Sequence, residues 1–244
     1  MGEWFQDWFD GDYAVLYAHR DAEEAALAVQ TALGAAPALR SGPVLDLACG
    51  SGRHLQVLRR TNPAAFGLDL SRHLLALAPL ELRGWLLRGD MRRLPFRPGS
   101  LSGICLWFTP FGYFEDDENR RLLADLAGLL RPGGALVLDV MNPARVRAEL
   151  VAEDVVERAG LRVRSRRSIE RGRVVKRMTL QRLDTGQVRR AVESVRLYEP
   201  PELLWMADAG GLRPLAQLGD YLGGPFDPER SPRWLGILER GDLR

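Results

Sequence analysis

Residues 44–53 read Val-Leu-Asp-Leu-Ala-Cys-Gly-Ser-Gly-Arg. The first five form an apolar run of strand length, broken only by Asp46. Gly50-Ser51-Gly52 then supplies a turn where backbone can approach a ligand with no Cβ in the way. A helical pattern follows, with Leu55, Val57 and Leu58 among polar residues. An acid near a strand's end, two glycines and a helix start describe a nucleotide-type cofactor site in a Rossmann-like βαβ unit. The phosphate-binding fingerprint is incomplete, since Leu55 stands where the third glycine would be.

The next strands carry the same grammar. Ala65-Phe66-Gly67-Leu68-Asp69 is a second apolar run ending in an acid, where doubly wound folds hydrogen-bond a ribose diol. A third run, residues 85–88, ends in Gly89-Asp90, and residues 101–107 form a fourth that leads into Phe108-Thr109-Pro110-Phe111-Gly112-Tyr113-Phe114. Residues 116–130 read as a helix with Leu122, Leu123, Leu126, Leu129 and Leu130 on one face. It stops at Arg131-Pro132-Gly133-Gly134, and residues 135–140 form a fifth strand. Strands alternating with helices predict one α/β sheet with ligands at its carboxyl edge.

This combination, over roughly residues 40–142, resembles the class I S-adenosylmethionine-dependent methyltransferases. Residues 44–52 look like that family's first motif, Gly67-Leu68-Asp69-Leu70-Ser71 its second and Gly89-Asp90-Met91-Arg92 its third. Residues 129–139, Leu-Leu-Arg-Pro-Gly-Gly-Ala-Leu-Val-Leu-Asp, are similar to its helix-to-fifth-strand junction. Residues 13–24 and the Phe111-Gly112-Tyr113-Phe114 loop resemble a small-molecule-type bacterial branch. The resemblance implies a doubly wound seven-stranded mixed sheet in the order 3-2-1-4-5-7-6, and S-adenosyl-L-methionine as cofactor. The loop from Asp46 through Ala48, Gly50 and Gly52 would run under the methionine part. Asp69, followed by Leu70, would take both ribose hydroxyls, and Asp90 the adenine amino group, with Met91 and Arg92 beside the ring. Phe108 would stand next to the transferred methyl, and Tyr17 and Arg20 would reach the methionine carboxylate. A cofactor without a pyrophosphate also accounts for the absent third glycine.

Composition agrees. The 244 residues carry a net charge of +2, too mild to imply a polyanion partner. Cys49 and Cys105, the only cysteines, show neither zinc spacing nor a disulfide framework, so no metal is expected and a reducing cytoplasm is. No secretory signal and no membrane-length apolar run is visible. Lys176 is the single lysine, and the other basic residues are arginine, which reads as a coding bias.

The acceptor side is less determined. Trp4, Phe5, Trp8, Phe9, Tyr13 and Tyr17 crowd the first 17 residues, ahead of a helix at about 21–33. They suit a hydrophobic cap on the sheet or a lid over the cofactor edge. After the fifth strand and a short helix to about 151, residues 155–163, 164–170, 173–183 and 188–198 are β-branched and charge-alternating. Arg171-Gly172 and Asp184-Thr185-Gly186 separate some of them, so a small antiparallel β-insert is expected between strands five and six. A helix at 200–209 and strands at 212–219 and 234–239 complete the sheet. The expected parts are a cap at 1–40, a cofactor domain at 41–152 and 199–244, and the insert at 153–198. Nine basic residues between Arg158 and Arg177 make a nucleic-acid patch conceivable, but no aromatic stacking pattern accompanies them.

Methyl transfer needs alignment at about 3 Å more than it needs a base, and the sequence offers no nucleophile–base constellation. A small-molecule acceptor is expected, bound among Tyr13, Phe111, Tyr113 and Tyr221, with the Tyr113 hydroxyl orienting the nucleophile. The alternatives are an RNA or protein methyltransferase that uses the Arg-rich insert and a non-catalytic cofactor-binding module. A dinucleotide oxidoreductase fits the first turn but not the incomplete glycine set or Gly89-Asp90.

Overall fold

The structure, a computed structural model, describes residues 3–17 and 22–241. Helices α1 (Trp4–Trp8), α2 (Gly11–Leu16) and α3 (Ala22–Ala35) lead into β1 (Val44–Leu47), α4 (Arg53–Thr61), β2 (Ala65–Asp69), α5 (Arg72–Ala76) and β3 (Leu86–Arg88). Next come β4 (Leu101–Leu106), α6 (Asp116–Leu129), β5 (Leu130–Met141) and α7 (Pro143–Glu149). The insert is β6 (Glu153–Arg158), β7 (Leu161–Glu170), β8 (Arg173–Arg182) and β9 (Val188–Arg196). Helix α8 (Pro200–Ala209), β10 (Leu212–Leu218) and β11 (Arg233–Arg240) follow.

The main sheet runs β3-β2-β1-β4-β5-β11-β10, which is the expected 3-2-1-4-5-7-6. Strands β1 to β5 are parallel, and β11 lies antiparallel between β5 and β10. Successive residues face opposite sides, and each side is covered. Leu45, Leu47, Ile104, Leu106, Leu136 and Leu138 meet Leu122, Leu123 and Leu126 of α6 and Leu203 and Met206 of α8. Val44, Cys105, Val137, Leu235 and Ile237 meet Ala25, Ala28, Val29 and Ala32 of α3 and Leu55 and Leu58 of α4. The small side chains of α3 let that helix come close to the sheet.

Two boundaries differ from the sequence reading. β5 starts at Leu130 and not at 135, because residues 131–134 are absorbed as a bulge: Leu101 pairs with Leu130, but Gly103 already pairs with Ala135. In the insert, no strand runs through 155–163. The chain turns at Ala159-Gly160, both at positive φ (+46° and +77°), and Leu161–Glu170 is one continuous strand. The four strands pair in the order β6-β7-β8-β9, all antiparallel.

The N-terminal aromatics divide among three environments. Phe5 joins the core around α6. Trp8 packs with Leu16 on Leu161, Val163, Met178 and Leu180 of the insert. Phe9, Tyr13 and Tyr17 remain at the sheet's ligand edge, lining the space described next. Among the described residues no helix is long and apolar enough to cross a membrane.

Candidate active site

Two adjoining cavities open where β1, β2, β3 and β4 end. The first, of about 280 Å3, is lined by Ala48, Cys49 and Ser51 after β1, Arg53 and His54 of α4, and Leu68, Asp69 and Leu70 of β2 and its exit. Gly89, Asp90, Met91, Trp107, Phe108, Pro110, Tyr113 and the N-terminal Phe5, Phe9, Tyr13 and Tyr17 line it too. The second, of about 560 Å3, lies between α7, the insert and β11, with Arg145, Glu149, Asp154, Arg167, Lys176, Glu193 and Arg233 on its walls. Five aromatic residues, Phe9, Tyr13, Tyr17, Phe108 and Tyr113, border both cavities. Their rings form a continuous chain on the N-terminal side: Phe9 lies 5.8 Å from Tyr113 and 4.8 Å from Tyr13, and Tyr13 lies 4.7 Å from Tyr17.

The glycine loop is shaped by its backbone. Ala48, Gly50 and Gly52 have φ of +59°, +57° and +81°, and Gly52 caps α4. The Gly50 N–H donates to Asp69 Oδ2 at 2.8 Å, and the Ser71 N–H donates to Asp69 Oδ1 at 2.7 Å. Each oxygen keeps lone-pair capacity at the cavity wall, the arrangement a vicinal diol requires. Burial raises the Asp69 pKa, and the backbone donors partly offset it. Asp46 is almost wholly buried and does not line the cavity. Burial first, and the Asp69 charge second, push its carboxyl up to about 8. One of its oxygens, Oδ2, has no hydrogen-bond partner. Asp46 therefore supports the loop from below, where the sequence reading had placed it among cofactor contacts.

Asp90 lines the first cavity, but its carboxylate is engaged by its neighbour. Oδ1 accepts from the Arg92 backbone N–H at 2.9 Å and Nε at 3.1 Å, and Oδ2 accepts from Nη2 at 2.6 Å. Partial burial works to raise its pKa, and Arg92 outweighs this, holding the carboxyl below its usual range. Arg92 does not line the cavity. It pairs with Glu3 and lies 4.8 Å from the Phe114 ring, so it fastens the N-terminus to the Asp90 turn.

Tyr17 lines both cavities. Its hydroxyl donates to Glu193 Oε1 at 2.9 Å and accepts from Lys176 Nζ at 2.9 Å. Arg20, its expected companion, lies outside the described residues. Leu70, Met91, Phe108, Tyr13 and Tyr113 all line the first cavity, the last three the second as well. Phe111 is a correction: it is fully buried in the core, 5.6 Å from the Tyr198 ring, because the loop turns it under the sheet edge. Tyr221 is another, lining neither cavity and donating its hydroxyl to the buried Asp139 at 2.6 Å. Cys49 and Ser51 belong to the loop expected under the methionine part, whereas Arg53, His54 and Trp107 were not foreseen, although the first two directly follow that loop.

The insert stands on the loop after β4. Arg173 donates to the carbonyls of Gly112, Tyr113 and Phe114, each at 2.9 Å. Its other arginines are largely committed within the chain: Arg162 to Glu157, Arg166 to Glu153, Arg167 to Asp154, and Arg177 to Glu170. Among the described residues no group of His, Cys, Asp and Glu is placed to hold a metal ion.

Residues 44–134 match the family model described as a methyltransferase domain. A dTDP-3-amino-3,4,6-trideoxy-alpha-D-glucopyranose N,N-dimethyltransferase of Streptomyces venezuelae is 35% identical over 121 residues, 48% of this chain and 50% of that one. The match thus spans about half the length of that relative. A cypemycin N-terminal methyltransferase of a Streptomyces species is 28% identical over 81% of this chain and 82% of that one. The sugar N-methyltransferase KedS8 of a Streptoalloteichus species superposes with a TM-score of 0.69 at 26% identity, covering 94% of this chain and 93% of that one.

Proposed function

We propose that this chain, whose residues 44–134 match the methyltransferase-domain model, transfers a methyl group from S-adenosylmethionine to the amine nitrogen of a small acceptor. The observation that carries the reading is the pair of cavities sharing one aromatic border, with a carboxylate able to accept from a diol on the wall of the first. The residues present fit the cofactor. Asp69 offers two backbone-anchored oxygens to the ribose hydroxyls. Ala48, Cys49 and Ser51 take the methionine part along the glycine loop, and Leu70 and Met91 flank the adenine. Asp90 is better suited to fixing the Met91 backbone through Arg92 than to meeting the adenine amino group directly.

S-adenosylmethionine supplies, when bound, a methyl carbon already activated by positive sulfur, so alignment is the main requirement. The nitrogen lone pair forms the new C–N bond while the C–S pair returns to sulfur, and the positive charge moves to nitrogen. Phe9, Tyr13, Tyr17, Phe108 and Tyr113 exclude water from that passage, and the Tyr113 hydroxyl orients the acceptor. The insert and the aromatic N-terminal segment form the acceptor chamber around the cofactor domain. An amine acceptor is supported by the relatives' names, which specify an amino sugar, a sugar nitrogen and an N-terminus. The internal pairing of the insert's arginines favours a small acceptor over a nucleic acid.

The test has two stages. Calorimetry with S-adenosylhomocysteine should give one site per chain. Labelled-methyl transfer should then enter a thymidine-diphosphate aminosugar or a short peptide's free N-terminus. Incorporation into RNA with a steep salt dependence, and into neither amine, would overturn the acceptor class.

A further inference from the structure

Asp139 sits inside the apolar run of β5 and is fully buried, yet its carboxylate accepts from three other residues. Oδ2 accepts from the Phe108 backbone N–H at 2.7 Å and from the Tyr221 hydroxyl at 2.6 Å. Oδ1 accepts from Arg233 Nε at 2.5 Å. Arg233 Nη2 continues to Thr109 Oγ1 at 2.9 Å, and the Thr109 N–H returns to the Asp139 carbonyl at 2.9 Å. These bonds converge on two consecutive non-glycine residues, Phe108 and Thr109, at φ of +65° and +67°. Such backbone is strained and persists only where its surroundings over-determine it.

The strained pair stands at the border between the cavities. Phe108 lines both, Arg53 the first and Arg233 the second. Both guanidinium groups address the Phe108 ring, Arg53 at 5.7 Å and Arg233 at 4.6 Å from its centroid. Pairing of β4 with β5 ends at Leu106 and Leu138, so holding the sheet together does not require these further bonds. They fix a ring.

We propose that Asp139, Arg233 and Tyr221 are positioning residues that hold the Phe108 ring as the electron-rich wall against which a sulfonium is presented to the acceptor. This rests on the reading of the first cavity as the cofactor site. A ring face attracts a cation, so its placement bears on charged S-adenosylmethionine and hardly on neutral S-adenosylhomocysteine. The ratio of the two affinities reports the ring without any acceptor being known.

The experiment is calorimetry of both ligands on the full chain and on Tyr221→Phe, Arg233→Lys and Phe108→Leu, with thermal melting of each. Tyr221→Phe removes only a hydroxyl, and Arg233→Lys keeps the charge but loses the fork. In all three, affinity for S-adenosylmethionine relative to S-adenosylhomocysteine should fall by about threefold or more, the weight of a modest cation–π contact. Amide exchange at Phe108 should quicken in the first two. A parallel loss of both ligands in the variants, as a purely structural role requires, would overturn the proposal. So would an unchanged ratio in Phe108→Leu. Failure of the unaltered protein to bind either ligand would instead refute the cofactor site itself.

Discussion

The Arg173 guanidinium reaches the Gly112 carbonyl at 2.9 Å, joining β8 of the insert to the loop after β4. The same group serves the Tyr113 and Phe114 carbonyls, and its burial pulls the guanidinium pKa down. Arg173→Ala leaves the Tyr113 carbonyl without its donor and takes one of two from Gly112 and Phe114, which keep the Arg196 N–H and the Asn119 side-chain amide. It should cost about 1–3 kcal/mol in urea unfolding. Arg173→Lys, a point charge with no planar fork, should recover only part of that.

Gly112 is close against the insert. Its φ is +108°, and a Cβ there would lie 2.9 Å from the Arg196 carbonyl oxygen, backbone that cannot swing aside. Gly112→Ala should destabilise by about 1–3 kcal/mol. Gly112 is not on the first cavity's wall, so calorimetry on the folded variant should find S-adenosylhomocysteine affinity within about twofold of the original.

Asp69 gives the direct test of the cofactor assignment. Asp69→Ala removes the carboxylate proposed to accept from the diol and also frees the Gly50 and Ser71 amides. Binding should weaken by roughly 1–3 kcal/mol for both S-adenosylmethionine and S-adenosylhomocysteine, since they share the ribose. Unaltered affinity would remove Asp69 from the site.

Asp46 makes stability depend on pH in the direction opposite to a salt-bridged acid. Its folded pKa is raised to about 8, so between the ordinary carboxylate range and pH 8 the folded state holds a proton that the unfolded state has lost. Stability from this group is present at low pH and declines as pH rises toward 8, levelling off above it. Asp46→Asn removes the titration while keeping the shape. The variant's advantage over the original should grow between pH 5 and pH 9, by an amount on the order of several kcal/mol. Urea unfolding of both proteins across that range checks it, and a constant difference would refute it.

How much of this was legible beforehand depended on whether a signal was local. The run from Val44 to Gly52 and the acid Asp69 were readable because a turn with positive φ and a strand-end carboxylate are written in adjacent residues. The turn at Ala159-Gly160 was not, because Ala stands where a two-residue hairpin usually shows Asn or Asp. Phe111 and Tyr221 were misplaced since an aromatic in a loop gives no sign of the side it faces. Asp139 and Arg233 lie 94 residues apart and meet only through β5–β11 pairing, so neither carried a signal of its own. An acid within the otherwise apolar run of residues 135–141 was the one available hint.

The lone lysine, first noted as a quirk of composition, ends on the wall of the second cavity with its Nζ against the Tyr17 hydroxyl. Reagents that acylate amines pass over arginine, so the whole folded chain offers them a single ε-amino group. Once the α-amino group is blocked, that makes Lys176 an address: a dye, a cross-linker or an isotopic tag attached there reports from the wall of the second cavity with no residue engineered to receive it.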